Sequence, residues 1–266
     1  MSGNRYNPYD IEAHVAEVYD QVETQSDDIS FLRGLIGSGP RLRILEPFSG
    51  TGRILIPLAC DGHRLTGMDQ SGRMLDRARA KIAALPGEVR GRIALLEQDA
   101  TAAGWPAGFD LVVLAGNCLY ELAEAGEQQQ VIAFAAAALN PDGYLFLDND
   151  HMEGCLDEAW RERGARIGFP TGVCADGTSL ESSLETVWCD AAARLVRFRR
   201  WTKAILPDGR SETVEFIQQK HPVSAAEVRS WLEAAGMSIT LECGDYARNP
   251  IATDSERAIF WARKGG

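Results

Sequence analysis

Ile44-Leu45-Glu46-Pro47-Phe48-Ser49-Gly50-Thr51-Gly52-Arg53-Ile54-Leu55-Ile56-Pro57-Leu58-Ala59 runs from an apolar strand through a glycine turn into an amphipathic helix. Leu42, Ile44 and Leu45 have the short apolar pattern of a strand buried on both faces, as a parallel sheet requires. Gly50 and Gly52 allow backbone conformations and a close approach that a Cβ would forbid. The helix that follows points its first amides over the turn, which suits a nucleotide-like ligand.

Two acids sharpen the reading. Glu46 ends the strand beside the turn, and Asp69 ends the next apolar stretch, Leu65 to Met68, as an acid that holds a ribose diol would. A dinucleotide fingerprint requires a third glycine at position 55, which is Leu55, and no Gly-Lys-Ser/Thr phosphate loop is present. A pair of acids suits a ligand with hydroxyls and a cationic end better than a pyrophosphate. S-adenosylmethionine is such a ligand.

Glu46-Pro47-Phe48-Ser49-Gly50-Thr51-Gly52 resembles the first motif of class I S-adenosylmethionine-dependent methyltransferases, although Pro47-Phe48-Ser49 stands where many members carry Gly-Cys or similar small residues. Gly67-Met68-Asp69-Gln70-Ser71 with Met74-Leu75 is similar to their second motif, and Gln98-Asp99-Ala100 to the adenine-side motif. Phe109-Asp110-Leu111-Val112-Val113 resembles their fourth strand, and Leu139-Asn140-Pro141-Asp142-Gly143-Tyr144 their turn into the fifth. The resemblance implies a Rossmann-like α/β sheet with helices on both faces. It also implies a cofactor site drawn from Tyr19, Glu46, Ser49, Gly50, Thr51, Gly52, Asp69, Gln70, Met74, Asp99, Ala100 and Asn117. Among small-molecule members, it resembles sugar N-methyltransferases and glycine methyltransferases.

With 266 residues, one large α/β domain with an insertion is expected. The organisation read from the pattern is a helical lid over 1–40, a cofactor-binding core over 41–153, an insertion over 154–223, and a final helix and hairpin over 224–266. Lys plus Arg number 27 against 38 Asp plus Glu, a net charge of −11, which argues against nucleic acid or an anionic membrane as the main partner. No apolar run is long enough to span a bilayer and no signal peptide is evident, so a cytoplasmic protein is expected. Six scattered cysteines without a C-x-x-C pair read as reduced, mostly buried thiols. A homodimer stays open.

Ile11, Val15, Val18, Tyr19 and Val22 fall at helical spacing. The resemblance makes this helix a lid across the cofactor cleft, with Tyr19-Asp20 as its recognisable element. A helix packed on the sheet edge is the plainer alternative. Pro57 lies inside the helical pattern that follows the glycine turn, predicting a bend or an unpaired carbonyl. Residues 154–170 read as polar helix and loop, followed by three antiparallel strands: Ser179 to Trp188, Leu195 to Leu206 and Thr213 to Gln219. A plain core lacks them, so they read as an insertion, and the resemblance to small-molecule methyltransferases implies that it roofs the acceptor pocket. The basic run Arg194 to Lys203 is expected to pair with Glu181, Glu185, Glu212 and Glu215 across the ladder rather than to hold nucleic acid.

On the acceptor side, Tyr120, Asn149, Arg200 and Trp201 are candidates for substrate contact. His151 and Asp150 follow the fifth strand where the methyl group must face, and His221 precedes the last helix. These three are the candidates for catalytic work. Strand alternation separates His151 from Asp148 and Asp150, so no metal site is expected. The function read is methyl transfer to a nitrogen or oxygen of a small-molecule acceptor. RNA or protein methylation and a non-catalytic cofactor-binding module are the alternatives.

Overall fold

The computed structural model describes residues 13–151 and 158–265. Strands β1 (Arg43–Pro47), β2 (Arg64–Asp69), β3 (Ile93–Glu97), β4 (Phe109–Leu114) and β5 (Leu139–Asp150) pair in parallel with one another. A second sheet follows, formed by β6 (Arg166–Val173), β7 (Ser179–Asp190), β8 (Leu195–Ile205) and β9 (Ser211–Lys220), all antiparallel. The chain returns to the first sheet as β10 (Met237–Cys243) and β11 (Arg257–Lys264). The main sheet has seven strands in the order β10-β11-β5-β4-β1-β2-β3, with β11 antiparallel to both neighbours. Reversal of strand order beside β1 opens a crevice at the carboxyl ends of β1 and β4, where open α/β sheets bind ligands.

Helices α1 (Ala13–Val22) and α2 (Asp27–Ile36) precede β1. After it come α3 (Leu55–Cys60), α4 (Gly72–Ala83), α5 (Gly87–Arg90), α6 (Ala125–Ala138), α7 (Glu158–Arg161) and α8 (Ala225–Ala234). Strand alternation divides the core. Leu45, Val112, Leu114, Leu145 and Leu147 pack toward Val131 and Ile132 of α6 and Val228 and Leu232 of α8. Ile44, Leu111, Val113 and Phe146 pack on the other face toward Ile29 and Leu32 of α2 and Leu55 and Leu58 of α3. Two helices are capped by side chains: Ser71 accepts from the Met74 amide, and Ser224 with Glu227 forms a capping box on α8.

Two expectations are corrected. Pro57 does not bend a long helix, because α3 begins only at Leu55. Pro57 therefore lies in the first turn, where an N–H has no partner in the helix anyway. The second sheet also has four strands instead of three. β6 occupies part of the stretch read as polar helix and loop, its pattern being broken by Gly164, Gly168, Pro170 and Gly172. The β6–β7 ladder shifts register between Phe169 and Gly172, so Pro170 sits in an irregularity that needs no ladder donor. Gly172 has a packing reason: a Cβ there would meet the Gln21 Oε1 of α1 at 2.7 Å.

The antiparallel sheet is fastened at two places. Its Leu180, Ala204 and Cys174 pack with Val15 and Val18 of α1. At the other end, Gln218 and Lys220 reach Glu121 just after β4, and Gln219 donates to the Ala123 carbonyl at 3.2 Å. Trp160 stands edge-on to both Tyr120 and Phe198, with centroids 6.2 and 5.0 Å away. Expected ladder pairs appear at Arg199, which lies 3.7 Å from Glu185 and 3.2 Å from Glu215.

The glycine turn is backed by Gly67 of β2, where a Cβ would lie 2.5 Å from Leu55 Cδ1 and 2.7 Å from Ser49 Oγ. Gly67→Ala should lower stability by about 1–3 kcal/mol through overpacking. A thermal melt equal to wild type would remove this close approach as a constraint on the fold.

Candidate active site

β1 ends in a turn whose backbone takes positive φ three times, at Phe48 (62°), Gly50 (51°) and Gly52 (81°). Phe48 is a bulky residue in a region that disfavours a Cβ, and its packing on the main core holds it there. The Ser49 amide donates to the Met68 carbonyl at 2.8 Å and the Gly52 amide to the Ser49 carbonyl at 2.8 Å, which ties the turn to β2. Asp69 completes the tie, its two oxygens accepting from the amides of Gly50 and Ser71 at 2.8 Å each. A carboxylate has about four acceptor positions, so these bonds leave capacity for hydroxyls.

Glu46 is buried at 5% exposure on the sheet face shared with Ile44. The Leu55 amide supplies it a hydrogen bond. Its Oε2 has no partner, nor does the neighbouring Ser49 Oγ. Burial pushes the Glu46 carboxyl up to about 8; nearby Arg53 opposes this, while Asp28 and Asp69 add to it. Arg53 is already committed. Its Nη1 and Nη2 donate to the two oxygens of buried Asp28 at 2.9 and 2.6 Å, and Nη1 also donates to the Gln25 carbonyl at 2.9 Å.

Met74 is buried, with its Cε 3.8 Å from where a Gly50 Cβ would be, whereas Gln70 is exposed. Asp99 Oδ1 accepts from the amide and the hydroxyl of Thr101 at 2.8 and 2.7 Å, the turn-forming role common for an acid in a loop. Ala100 is buried and its carbonyl accepts from Trp105 Nε1 at 3.1 Å.

Helix α1 lies against this region through one carboxylate. Asp20 Oδ1 accepts from Thr51 Oγ1 at 2.5 Å and from Lys81 Nζ at 2.8 Å, and Oδ2 accepts from Arg77 Nε at 2.9 Å. Those donors hold the Asp20 carboxyl below its ordinary value despite partial burial. Tyr19 is raised to about 12 by burial, with Glu23 adding to it. Across the other side of α1, Gln21 Nε2 donates to the Val173 carbonyl at 2.9 Å, and Glu17 accepts from the Ala175 amide at 2.8 Å.

On the acceptor side, Asn117 adopts the left-handed conformation (φ 61°) and makes a reciprocal pair with Asp150. Its Nδ2 donates to Asp150 Oδ2 at 2.9 Å and its Oδ1 accepts from the Asp150 amide at 2.7 Å. Tyr120 donates its hydroxyl to the Asp150 carbonyl at 2.7 Å. Arg257 ion-pairs with Asp150 and lies 2.6 Å from Asp148, which also accepts from the Tyr246 hydroxyl at 2.8 Å. Burial raises the Asp148 carboxyl, and Arg257 opposes the rise. Asn149 points to the opposite face, buried at 1% with neither amide atom partnered. His151 follows directly, its amide bonded to the Glu256 carbonyl at 3.0 Å. Among the described residues, no group of three or more His, Cys, Asp or Glu is arranged to hold a metal ion.

Not every candidate gathers here. His221 is buried between α6 and α8, with Nδ1 2.8 Å from Gln128 Oε1 and Nε2 3.3 Å from Glu227. Both ring nitrogens are thus engaged in helix packing, which is a correction to its expected part in proton transfer. Arg200 and Trp201 also separate, since alternation along β8 puts them on opposite faces. Arg200 faces inward with Phe198 and Thr202, buried, its Cζ 5.8 Å from the Phe216 ring centroid. Trp201 lies with Arg199 on the outer face, so the two cannot line one pocket together. Conversely, Arg257, Tyr246 and Asp28 were not legible as site residues, because each comes from an element with no motif of its own. Arg53 was within reach, being the cation next to Gly52.

A parallel sheet with this switch point, a strained glycine turn and an acid after each of the first two strands defines a Rossmann-like nucleotide-type site. The methyltransferase domain family matches residues 44–143, which span β1 through the start of β5. The cypemycin N-terminal methyltransferase of Streptomyces sp. is 24% identical over 250 residues, covering 91% of this chain and 93% of that protein. Among solved structures, the CcbJ methyltransferase from Streptomyces caelestis superposes with a TM-score of 0.73 at 19% identity, covering 98% of this chain and 100% of that one. The sugar N-methyltransferase KedS8 from Streptoalloteichus sp. gives 0.70 at 17% identity, covering 93% and 91%. Residues 44–143 match a methyltransferase domain, and the fold is that of S-adenosylmethionine-dependent methyltransferases.

The residues present fit that cofactor. Glu46 Oε2 and Ser49 Oγ are buried without partners beside the turn, and Asp69 keeps acceptor capacity for a diol. Asp69→Ala should weaken cofactor binding by roughly 2 kcal/mol, the worth of hydrogen bonds to a charged group. Unchanged affinity by calorimetry in a folded variant would end the ribose assignment.

Proposed function

We propose that this enzyme methylates a nitrogen of a small-molecule acceptor held between the carboxyl edge of the main sheet and the inner face of the antiparallel sheet. The observation that carries the reading is the double fastening of that second sheet, to α1 on one side and to Glu121 and Ala123 on the other. A roof tied at both ends suits an enclosed small acceptor better than an RNA or a protein surface. The basic run gives a nucleic acid little to hold, since Arg199 sits between Glu185 and Glu215, and Arg197 is bonded to Gln219 and lies over Trp188. In this reading α1 is the lid, and β6 to β9 belong to the acceptor.

S-adenosylmethionine supplies a methyl group on a sulfonium, which leaves by in-line displacement, so holding the acceptor in line is the main service of the protein. Glu46, Ser49, the Gly50–Gly52 turn and Asp69 hold the cofactor, and the Asp99–Ala100 loop borders its base. Asn117, locked by Asp150, shapes the wall beneath the methyl position, and Tyr120 joins that wall to the roof through Trp160. Asn149 offers a buried donor and acceptor, and Arg200 faces inward from the roof.

Nitrogen is favoured over oxygen because an amine that arrives unprotonated needs no base. Two of the titratable groups near this edge are committed, Asp150 to Arg257 and the Tyr120 proton to a carbonyl, while His221 lies apart, engaged by Gln128 and Glu227. The sugar N-methyltransferase and the N-terminal methyltransferase among similar proteins agree with this preference.

His151 tests the choice. With a nitrogen acceptor, His151→Ala should mainly raise the acceptor's KM. With an oxygen acceptor it should lower kcat about 100-fold while cofactor affinity is kept. Candidate acceptors would come from a pooled metabolite extract incubated with labelled cofactor. Cofactor binding with no labelled product from any pool would favour a non-catalytic module.

A further inference from the structure

The carboxylates around the cofactor turn are matched to donors with one exception. Asp28 has Arg53, Asp20 has Lys81 and Arg77, and Asp148 and Asp150 share Arg257. Glu46 has only the Leu55 amide, and its Oε2 is buried with no partner. The cation nearest to serving it, Arg53, is held in a two-point pair by Asp28 and by the Gln25 carbonyl. A buried carboxyl in this position is more stable with its proton than without it, because desolvation disfavours the charged form. Its carboxyl is accordingly raised to about 8.

We propose that Glu46 is uncharged in the cofactor-free enzyme and ionises when the α-ammonium end of S-adenosylmethionine binds, so that cofactor uptake expels a proton to solvent. The balance is simple: a neutral carboxyl and an ammonium become a carboxylate–ammonium pair plus one released proton. This rests on the cofactor site described above and adds to it a selective element. An unpartnered neutral acid is indifferent to a ligand without a cation, and it becomes a full counter-charge only for a ligand that brings one.

Other charged or titratable groups face Glu46 from α1, α2, β2 and the turn after β4. Tyr19 of α1 is raised to about 12, and burial pushes the Cys118 thiol after β4 upward as well. Asp28 of α2 is ion-paired with Arg53, and Asp69 of β2 accepts two backbone amides. The sign follows from the raised carboxyl. Below about pH 8 the free enzyme holds the extra proton. Cofactor affinity should therefore rise about tenfold per pH unit from pH 6 to 7, peak near pH 8 and fall above it as the ligand's own ammonium loses its proton. Between pH 6 and 7 the ligand's own α-amino group, with a pKa of about 7.7–8.0, stays largely protonated and contributes little.

The experiment is calorimetric titration of the cofactor into the full-length enzyme at pH 6.5, in two buffers of contrasting ionisation enthalpy. Wild type should release close to one proton per cofactor bound. Glu46→Gln should release almost none. Asp28→Asn frees Arg53 to ionise Glu46 beforehand, and should release clearly less than wild type. 5′-Methylthioadenosine, which lacks the ammonium end, should bind without releasing a proton. Buffer-independent heats for wild type, or equal release from Glu46→Gln, would overturn the proposal. If Glu46→Gln fails to fold or bind, full release from Asp28→Asn would overturn it instead. Absence of any cofactor binding by wild type would strike the cofactor site itself, and binding without proton release would strike this inference alone.

Discussion

The ion pair between Arg53 and Asp28 sets the charge that the carboxyl edge of the sheet must carry. Arg53 follows the second glycine of the turn, and Asp28 opens α2, so the pair ties the N-terminal helices to the ligand loop. Two buried charges are costly to desolvate, and removing one partner of such a pair typically costs about 3–5 kcal/mol. The pair is therefore a poor source of net stability and a strong fixer of position. By occupying Arg53 it also leaves the Glu46 carboxyl without a hydrogen bond from that guanidinium, so burial raises it.

Asp20 plays the corresponding part for α1. It gathers a hydroxyl from the glycine turn and two cations from α4, while other side chains of α1 hold the backbone at Val173 and Ala175. One helix of 10 residues thus touches the cofactor loop, the helix after β2 and the antiparallel sheet. Moving α1 away from the glycine turn would therefore also disturb its contacts with the antiparallel sheet. Cutting away the antiparallel sheet would also expose Val15 and Val18 of α1.

Most of the cofactor half was legible because its signals are local. Glu46, Gly50, Gly52, Asp69 and the Ser71 cap lie within short runs where turn chemistry and apolar pattern agree. The acceptor half depends on pairings across long sequence distances. β6 was missed because glycine and proline interrupt its alternation, and only the docking of α1 explains why Gly172 is there. Arg200 and Trp201 were taken together although strand alternation alone, applied strictly, separates them. His221 looked like a free base because a histidine before a helix cap gives no hint of Gln128, which lies 93 positions earlier. A lone polar residue in sequence says little about whether its partners are solvent, ligand or protein.

Arg257 illustrates what topology adds to composition. Asp148 and Asp150 share one face of β5, and two carboxylates in that position repel each other unless a cation lies between them. No residue near them in sequence supplies it. β11 runs antiparallel to β5, which brings its first residue, Arg257, directly opposite Asp150 at the carboxyl edge. Had β11 been parallel, its last residues would lie at that edge and Arg257 at the far end of the sheet. The antiparallel closing hairpin therefore does more than cover the edge of β5. It places the Arg257 guanidinium against Asp150, whose carboxylate and amide in turn hold Asn117.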